Sequence, residues 1–417
     1  MSAATVPADQ ISYDDLYARW EQGNWRATEI DLATDRKQWE NDFDDFDRRA
    51  ALWLYSMFFH GEDAVADNLS PYIDAAPREE QKYFLATQQV DEARHAVMFA
   101  RFMNEVAGQG SDPSDALRAT HPQLTWGFQQ VFARLDRMAD ELRRDRSRPK
   151  LAQAIALYHL VIEAALAQPG QHLIEESLTR RDQLPGFRQG IHNIARDEQR
   201  HIAFGVKMIA DLVREDPDCL PAIEELFRSL VPYTTAVLIP PNWDERYVTV
   251  FGFTLMDIFV YGSDALEARL RAAGLDPLTL RIGLPFDVPS EERARRGLAL
   301  LRAGYLGPSN GPVKADPEAT SLLFDGLARQ VDASVISKAT IQWDFDDAAP
   351  WHLLIDNGSA SAAQGQAANP DLTFRCRFGD WIDLAAGRAD PVRSLLTRKI
   401  RPSGKLRMLA KAPKLFA

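Results

Sequence analysis

Cysteine is nearly absent, with Cys219 and Cys376 the only two in 417 residues. Two thiols so far apart in sequence build neither a disulfide framework nor a Cys-rich zinc site, and a reducing cytoplasm is the expected compartment. The N-terminus, Met1-Ser2-Ala3-Ala4-Thr5-Val6-Pro7, lacks the basic segment and apolar run of a secretory signal. No uninterrupted apolar run reaches the length of a bilayer, so no membrane span is expected. Glutamate is missing from Thr320 onward. That stretch holds 13 Lys and Arg against 10 Asp, a balance of +3 in a chain of net charge -12, which leaves -15 on the rest. So acidic a major part argues against nucleic acid as a partner, and the asymmetry marks two modules.

What is present is mostly helical periodicity. With 46% hydrophobic residues the chain can bury substantial cores. Apolar spacing predicts helices near 38–62, 78–107, 123–145, 149–178, 186–215, 219–231, 245–273 and 290–305, punctuated by prolines. The stretch Leu306-Gly307-Pro308-Ser309-Asn310-Gly311-Pro312 reads as a linker. Past it the period changes. Residues 340–345, 351–355 and 372–378 alternate like strands, Asn357-Gly358 marks a turn, and helices are expected at 318–333, 379–386, 390–398 and 404–412. The expectation is a mainly α protein: a helical domain over 1–310 and a smaller α/β domain over 311–417.

Two short motifs organise the first domain. Asp91-Glu92-Ala93-Arg94-His95 and Asp197-Glu198-Gln199-Arg200-His201 are both Glu-x-x-His. Residues three apart share a helix face, so each pair can aim a carboxylate and an imidazole at one point. Each motif follows a Glu embedded in an apolar helix, Glu62 for the first and Glu163 for the second. Two Glu-x-x-His helices plus one Glu from each of two others make a dinuclear carboxylate site in a helical bundle. The competing reading is a set of buried Glu–Arg pairs using Arg94 and Arg200. Four carboxylates and two neutral imidazoles suit two iron ions, or one manganese and one iron, rather than a soft metal. His159, one turn before Glu163, reads as a residue behind the ligands or as a satisfied core histidine.

Residues from about 20 to 273 resemble the radical-generating small subunit of class I ribonucleotide reductase and its relatives, the R2-like ligand-binding oxidases among them. Trp25-Arg26-Ala27-Thr28-Glu29-Ile30-Asp31 resembles the family's entry segment, and Ile194-Ala195-Arg196-Asp197-Glu198-Gln199-Arg200-His201 its second motif helix. The resemblance implies a ferritin-like bundle with Glu62, Glu92, His95, Glu163, Glu198 and His201 as metal ligands. It also implies that Asp197 orients His95 and that Trp25 is bonded to that Asp. Four residues after His95, where standard reductase subunits carry the radical Tyr, stands Phe99, which cannot form a phenoxyl radical. Tyr158 matches a Tyr that the R2-like ligand-binding oxidases use in a self-made cross-link, and is read here as a core Tyr with a bonded hydroxyl.

Residues 318–417 resemble the sterol carrier protein 2 family. The resemblance runs through Trp351-His352-Leu353-Leu354-Ile355-Asp356-Asn357-Gly358, Pro370-Asp371-Leu372-Thr373-Phe374, Trp381 and Lys399-Ile400-Arg401-Pro402-Ser403-Gly404. It implies an α/β sandwich with an apolar tunnel for lipids or acyl chains. Together the two resemblances imply an enzyme with dioxygen as co-substrate, an electron donor as partner, a hydrophobic substrate presented by the second domain, and a homodimer. The alternatives are a reductase radical subunit, against which Phe99 and the fused module count, and a lipid binder whose metal site is structural.

Overall fold

The computed structural model describes residues 6–309, 311–332 and 335–415. Met1–Thr5, part of the segment read as lacking a signal, and Asn310, inside the expected linker, lie outside the described residues. The chain forms two compact units, one from 1–223 with 237–276 and one from 224–236 with 277–417.

Four long helices define the first unit. Helix α1 (Asp45–Asn68) is started by Asp44, whose side chain accepts hydrogen bonds from the backbone N–H groups of Phe46 and Asp47 at 2.7 Å. Helix α2 (Glu79–Glu105) opens with Glu79 and Glu80, where negative charge offsets the helix dipole. Helix α3 (Arg148–Arg181) is capped by Ser147, with Pro149 in its first turn. Its middle, Ala156–Ala167, is π-helical. Such wide turns are rare and concentrate at functional sites. Helix α4 (Pro185–Glu215) borrows its cap from a distant residue: buried Asp35 accepts from Gly186 N at 2.9 Å and Phe187 N at 2.6 Å. Helices α3 and α4 approach so closely that a Cβ on Gly205 would lie 2.2 Å from the His159 Cβ.

The expected helix 38–62 is two: Ala33–Asn41 stops, and α1 restarts at its own cap and runs past Glu62. The expected helix 245–273 is also broken. Arg246–Thr249 ends, Gly252 turns the chain at φ +82°, and Thr254 caps a fresh helix, Leu255–Ala272. One helix, Arg148–Arg181, is long and apolar enough by composition to cross a membrane, but 78% of its apolar window is buried in the unit. Its apolarity is that of a core helix.

The second unit is built on a five-stranded sheet in the order β3-β2-β1-β4-β5. The strands are β1 (Lys338–Phe345), β2 (Trp351–Asp356), β3 (Ser359–Gln364), β4 (Leu372–Cys376) and β5 (Ile400–Gly404). β1 pairs antiparallel with β2, Trp343 opposite Trp351, and parallel with β4, Ile341 opposite Leu372. Helix Pro317–Gln330 covers the sheet through Phe324, which stacks on Trp351 at 4.8 Å and meets the Trp343 edge at 5.2 Å. β3 and β5, absent from the sequence reading, are the two edges. Ser-Ala-Ser-Ala-Ala-Gln buries little, and Ile-Arg-Pro-Ser-Gly carries a proline that a central strand would reject. The boundary between the units falls at 276/277, upstream of the composition change. Segment 277–309 belongs with the sheet: Tyr305 packs edge-on to Phe378 at 5.4 Å, and Arg388 donates to the Gly307 carbonyl at 2.9 Å.

Candidate metal centre

The four long helices bring all six candidate ligands together. Glu62 stands on α1, Glu92 and His95 on α2, Glu163 on the π-helical part of α3, and Glu198 and His201 on α4. All six are buried. Their ligand atoms fall into two groups, each within 4.8 Å: Glu62, Glu92, His95 and Glu198, then Glu92, Glu163, Glu198 and His201. Glu92 and Glu198 belong to both. Both imidazoles turn Nδ1 inward. His95 Nδ1 lies 3.2 Å from Glu62, 3.3 Å from Glu92 and 3.6 Å from Glu198. His201 Nδ1 lies 3.2 Å from Glu92, 3.5 Å from Glu163 and 3.6 Å from Glu198.

Behind the cluster the arrangement is doubled and crossed. Asp197 of α4 sits 3.3 Å from Nε2 of His95 on α2, and Trp25 Nε1 donates to it at 2.7 Å. Asp91 of α2 sits 3.1 Å from Nε2 of His201 on α4, and Trp20 Nε1 donates to it at 2.9 Å. Arg200 donates to both aspartates, at 3.1 Å to Asp91 and 2.7 Å to Asp197. Arg94 also bonds both, reaching Asp197 at 3.0 Å. Buried Arg200 and largely buried Arg94 thus pair with the aspartates, and among the described residues the competing Glu–Arg pairing inside the site does not form. The family resemblance points to Asp197 and Trp25, and the structure adds Asp91 and Trp20. The signal was present: both motifs read Asp-Glu-x-Arg-His, so any role of the first aspartate has a counterpart in the other.

Further side chains hold the carboxylates in place. Tyr158 Oη donates to Glu92 Oε1 at 2.8 Å. Gln88 Nε2 donates to Glu163 Oε1 at 2.8 Å and lies 3.3 Å from Glu92, while its carbonyl faces His159 Nε2 at 3.1 Å. His159 therefore bonds to the site through Gln88, which nothing in its sequence context distinguishes, and packs against Tyr158 at 4.8 Å. Phe99 is fully buried against Phe58 and Phe187.

The electrostatics show what the donors want. Burial pushes the Glu62 carboxyl up to about 8, with His95 pulling the other way. Burial likewise raises Glu163 and Glu198. In Glu92 burial is outweighed by His201 and His95, which hold it low. Burial disfavours charge on His95 and His201, yet the facing carboxylates raise both. Glu163 Oε2, Glu198 Oε2 and His201 Nδ1 have no hydrogen-bond partner. Buried polar atoms are rarely left so. Four desolvated carboxylates, two of them with an unpartnered oxygen, form a donor set short of cations, and two divalent ions would balance four negative charges.

The helical part defines a family. The model for the small chain of ribonucleotide reductase matches residues 5–237, and this chain belongs to that family. Residues 327–417 match the SCP-2 sterol transfer family and form that domain here. Solved structures with the same fold are R2-like ligand-binding oxidases. One, a substituted variant with an aerobically reconstituted Mn/Fe cofactor, is 23% identical with a TM-score of 0.53 over 64% of this chain and 93% of its own. That from Sulfolobus acidocaldarius is 23% identical with a TM-score of 0.52 over 64% and 93%. A third, anaerobically reconstituted with Mn/Fe, reaches a TM-score of 0.54 at 23% identity over 63% and 93%.

Proposed function

We propose that this chain is a di-metal oxidase or oxygenase that uses dioxygen and an external electron donor to oxidise an apolar small molecule or acyl chain. One observation carries the reading. An apolar pocket, open at its mouth, is walled by Met57, Phe58, Val65, Phe128, Phe132, Ile162 and Leu166, and is floored by Glu62, Glu92, Glu163 and Glu198. A pocket of this kind can orient an apolar group beside the carboxylates.

Glu62 and His95 would hold one metal, Glu163 and His201 the other, with Glu92 and Glu198 shared. Two iron ions, or one manganese and one iron, would supply reductive activation of dioxygen. The protein's own part is positional. Asp197 and Asp91 keep both imidazoles with Nδ1 inward, Tyr158 and Gln88 fix Glu92 and Glu163, and the cavity wall presents the substrate. Phe99 leaves no phenol one turn after His95, which favours oxidation of a bound substrate over storage of a tyrosyl radical. The SCP-2 domain would capture the apolar substrate within the same chain, raising its effective concentration. Two buried free cysteines fit a reducing cytoplasm.

A homodimer fits the outer face of α2. Tyr83, Ala86, Val90, Ala93 and Val97 are its exposed positions between Gln81 and Ala100, and all are apolar. Their alternating spacing of three and four is a heptad seam, which pairs with its own copy across a two-fold axis.

The test is oxygen uptake by protein loaded anaerobically with Fe(II), or with Mn(II) and Fe(II), alongside metal quantification and mass spectrometry of co-purifying apolar molecules. Full two-metal occupancy without oxygen consumption would sink the proposal.

A further inference from the structure

The short helix Pro391–Leu396 of the second unit shows solvent an apolar face. Val392 is 62% exposed, Leu395 39% and Leu396 80%. Their spacing of three and four places them on one side of the helix. Most exposed apolar side chains in a protein are scattered, but three contiguous ones ask for a partner. Their surroundings indicate which. From Pro391 to the chain end the sequence has eight basic residues and no acidic one. Lys399, Arg401 and Lys405 are paired with Asp380, Asp346 and Asp371. Arg393 and Arg398, on either side of the apolar face and both exposed, have no carboxylate within ion-pair distance among the described residues. Asp390, at the start of the helix, is engaged in capping it, accepting from Arg393 N at 2.6 Å.

We infer that this face, Val392, Leu395 and Leu396 framed by Arg393 and Arg398, docks the protein on an anionic lipid surface. An apolar wedge enters the acyl boundary while guanidinium groups stay at the phosphate level, where arginine bonds phosphate in two places. A protein partner of matching character would need its own acidic, apolar surface. A bilayer with anionic headgroups offers both layers at the right depth without further design. The binding is peripheral and reversible, since three side chains are far short of a membrane anchor. Each arginine near such a surface contributes about fivefold in affinity. The inference goes beyond the oxidase reading: docking would bring the SCP-2 domain to the phase where apolar molecules reside.

The test is co-sedimentation of the full-length, metal-loaded protein with vesicles of phosphatidylcholine alone and of phosphatidylcholine with an equal part of phosphatidylserine. Binding to the anionic vesicles only, weakened by added salt, is expected. Leu396→Glu with Val392→Glu, and separately Arg393→Glu with Arg398→Glu, should each lower that binding at least about tenfold, from the loss of the wedge or of two such arginine contributions. All four side chains are exposed, so circular dichroism and melting temperature should stay as in the parent. Absence of binding to the anionic vesicles, equal binding to both kinds, or unaltered binding by the folded variants would overturn the inference. So would a drop in oligomeric state in the Leu396 and Val392 variant without vesicle binding, which would make the face a contact between copies. None of these readouts depends on oxygen chemistry, so a negative result leaves the oxidase reading standing.

Discussion

Asp91 reaches across from α2 to sit 3.1 Å from His201 Nε2 on α4, mirroring the way Asp197 reaches back from α4 to His95. Each motif helix thus carries the group that orients the other helix's imidazole. A ring nitrogen held by a carboxylate fixes which nitrogen faces a metal and raises its basicity.

That crossed arrangement predicts a crossed phenotype. Asp91→Asn should weaken the metal position of His201, and Asp197→Asn that of His95, each about 10–100-fold in affinity as for other groups behind metal ligands. Competitive titration with a chelator, read by metal stoichiometry, checks this. Equal loss at both positions from either variant would contradict the pairing.

Shared and unshared ligands should differ. Glu92 belongs to both four-residue groups, whereas Glu62 belongs to one. Glu92→Ala is expected to empty both positions and Glu62→Ala mainly one, with His201→Ala resembling Glu62→Ala. Because bound metal stabilises only the folded state, chelation should lower the melting temperature of the parent but leave that of Glu92→Ala nearly unchanged. Two metals retained in Glu92→Ala would exclude the assignment.

Val90→Arg, alone or with Tyr83→Glu, should convert a dimer to a monomer in sedimentation velocity while leaving metal content intact. Both side chains are more than half exposed, so the fold has little to lose. A parent that is already monomeric at high concentration would remove the seam from consideration.

The two thiols should be silent. Burial pushes Cys219 up to about 11 and Cys376 up to about 12, from an ordinary 9.0. Neither should react with a disulfide reagent at neutral pH until denaturant is added, when two thiols should appear. Because both values are raised, the folded state favours the neutral thiols. Their contribution is whole below pH 9 and fades as pH climbs through 11 to 12. A native thiol titrating at neutral pH would show that the burial is not as described.

How far the sequence could be read depended on what kind of signal each part leaves. The bundle and its six candidate ligands were legible because metal chemistry repeats: Glu-x-x-His occurs twice, each time after a Glu in an apolar helix. The central strands showed in their alternation of buried and exposed side chains. Edge strands β3 and β5 bury one face weakly and so leave almost no pattern. Gln88 escaped notice because a buried amide is defined by its neighbours in space, here Glu163 and His159, and not by anything beside it in the chain. Trp20 was hidden for a different reason. The repeated motif points to Asp91 as the counterpart of Asp197, but no motif in the chain says that Trp20 is its donor.

The wide turns of α3 have a bearing on how this chain can vary. Tyr158, His159 and Glu163 all lie in the stretch Ala156–Ala167, where each turn takes more residues than in an α-helix. Such a stretch holds slack. Deleting one residue between Tyr158 and Glu163 would let the helix tighten to ordinary α turns, and the closer winding would offset the lost residue, leaving Glu163 on nearly the same side of the axis. The carboxylate would then still face His201 while the helix remained buried and stable. Length changes elsewhere in α3 would damage the fold and the site together. Here the wide turns absorb the change, so a relative lacking one residue at this place should be a well-folded bundle with its six ligands still gathered.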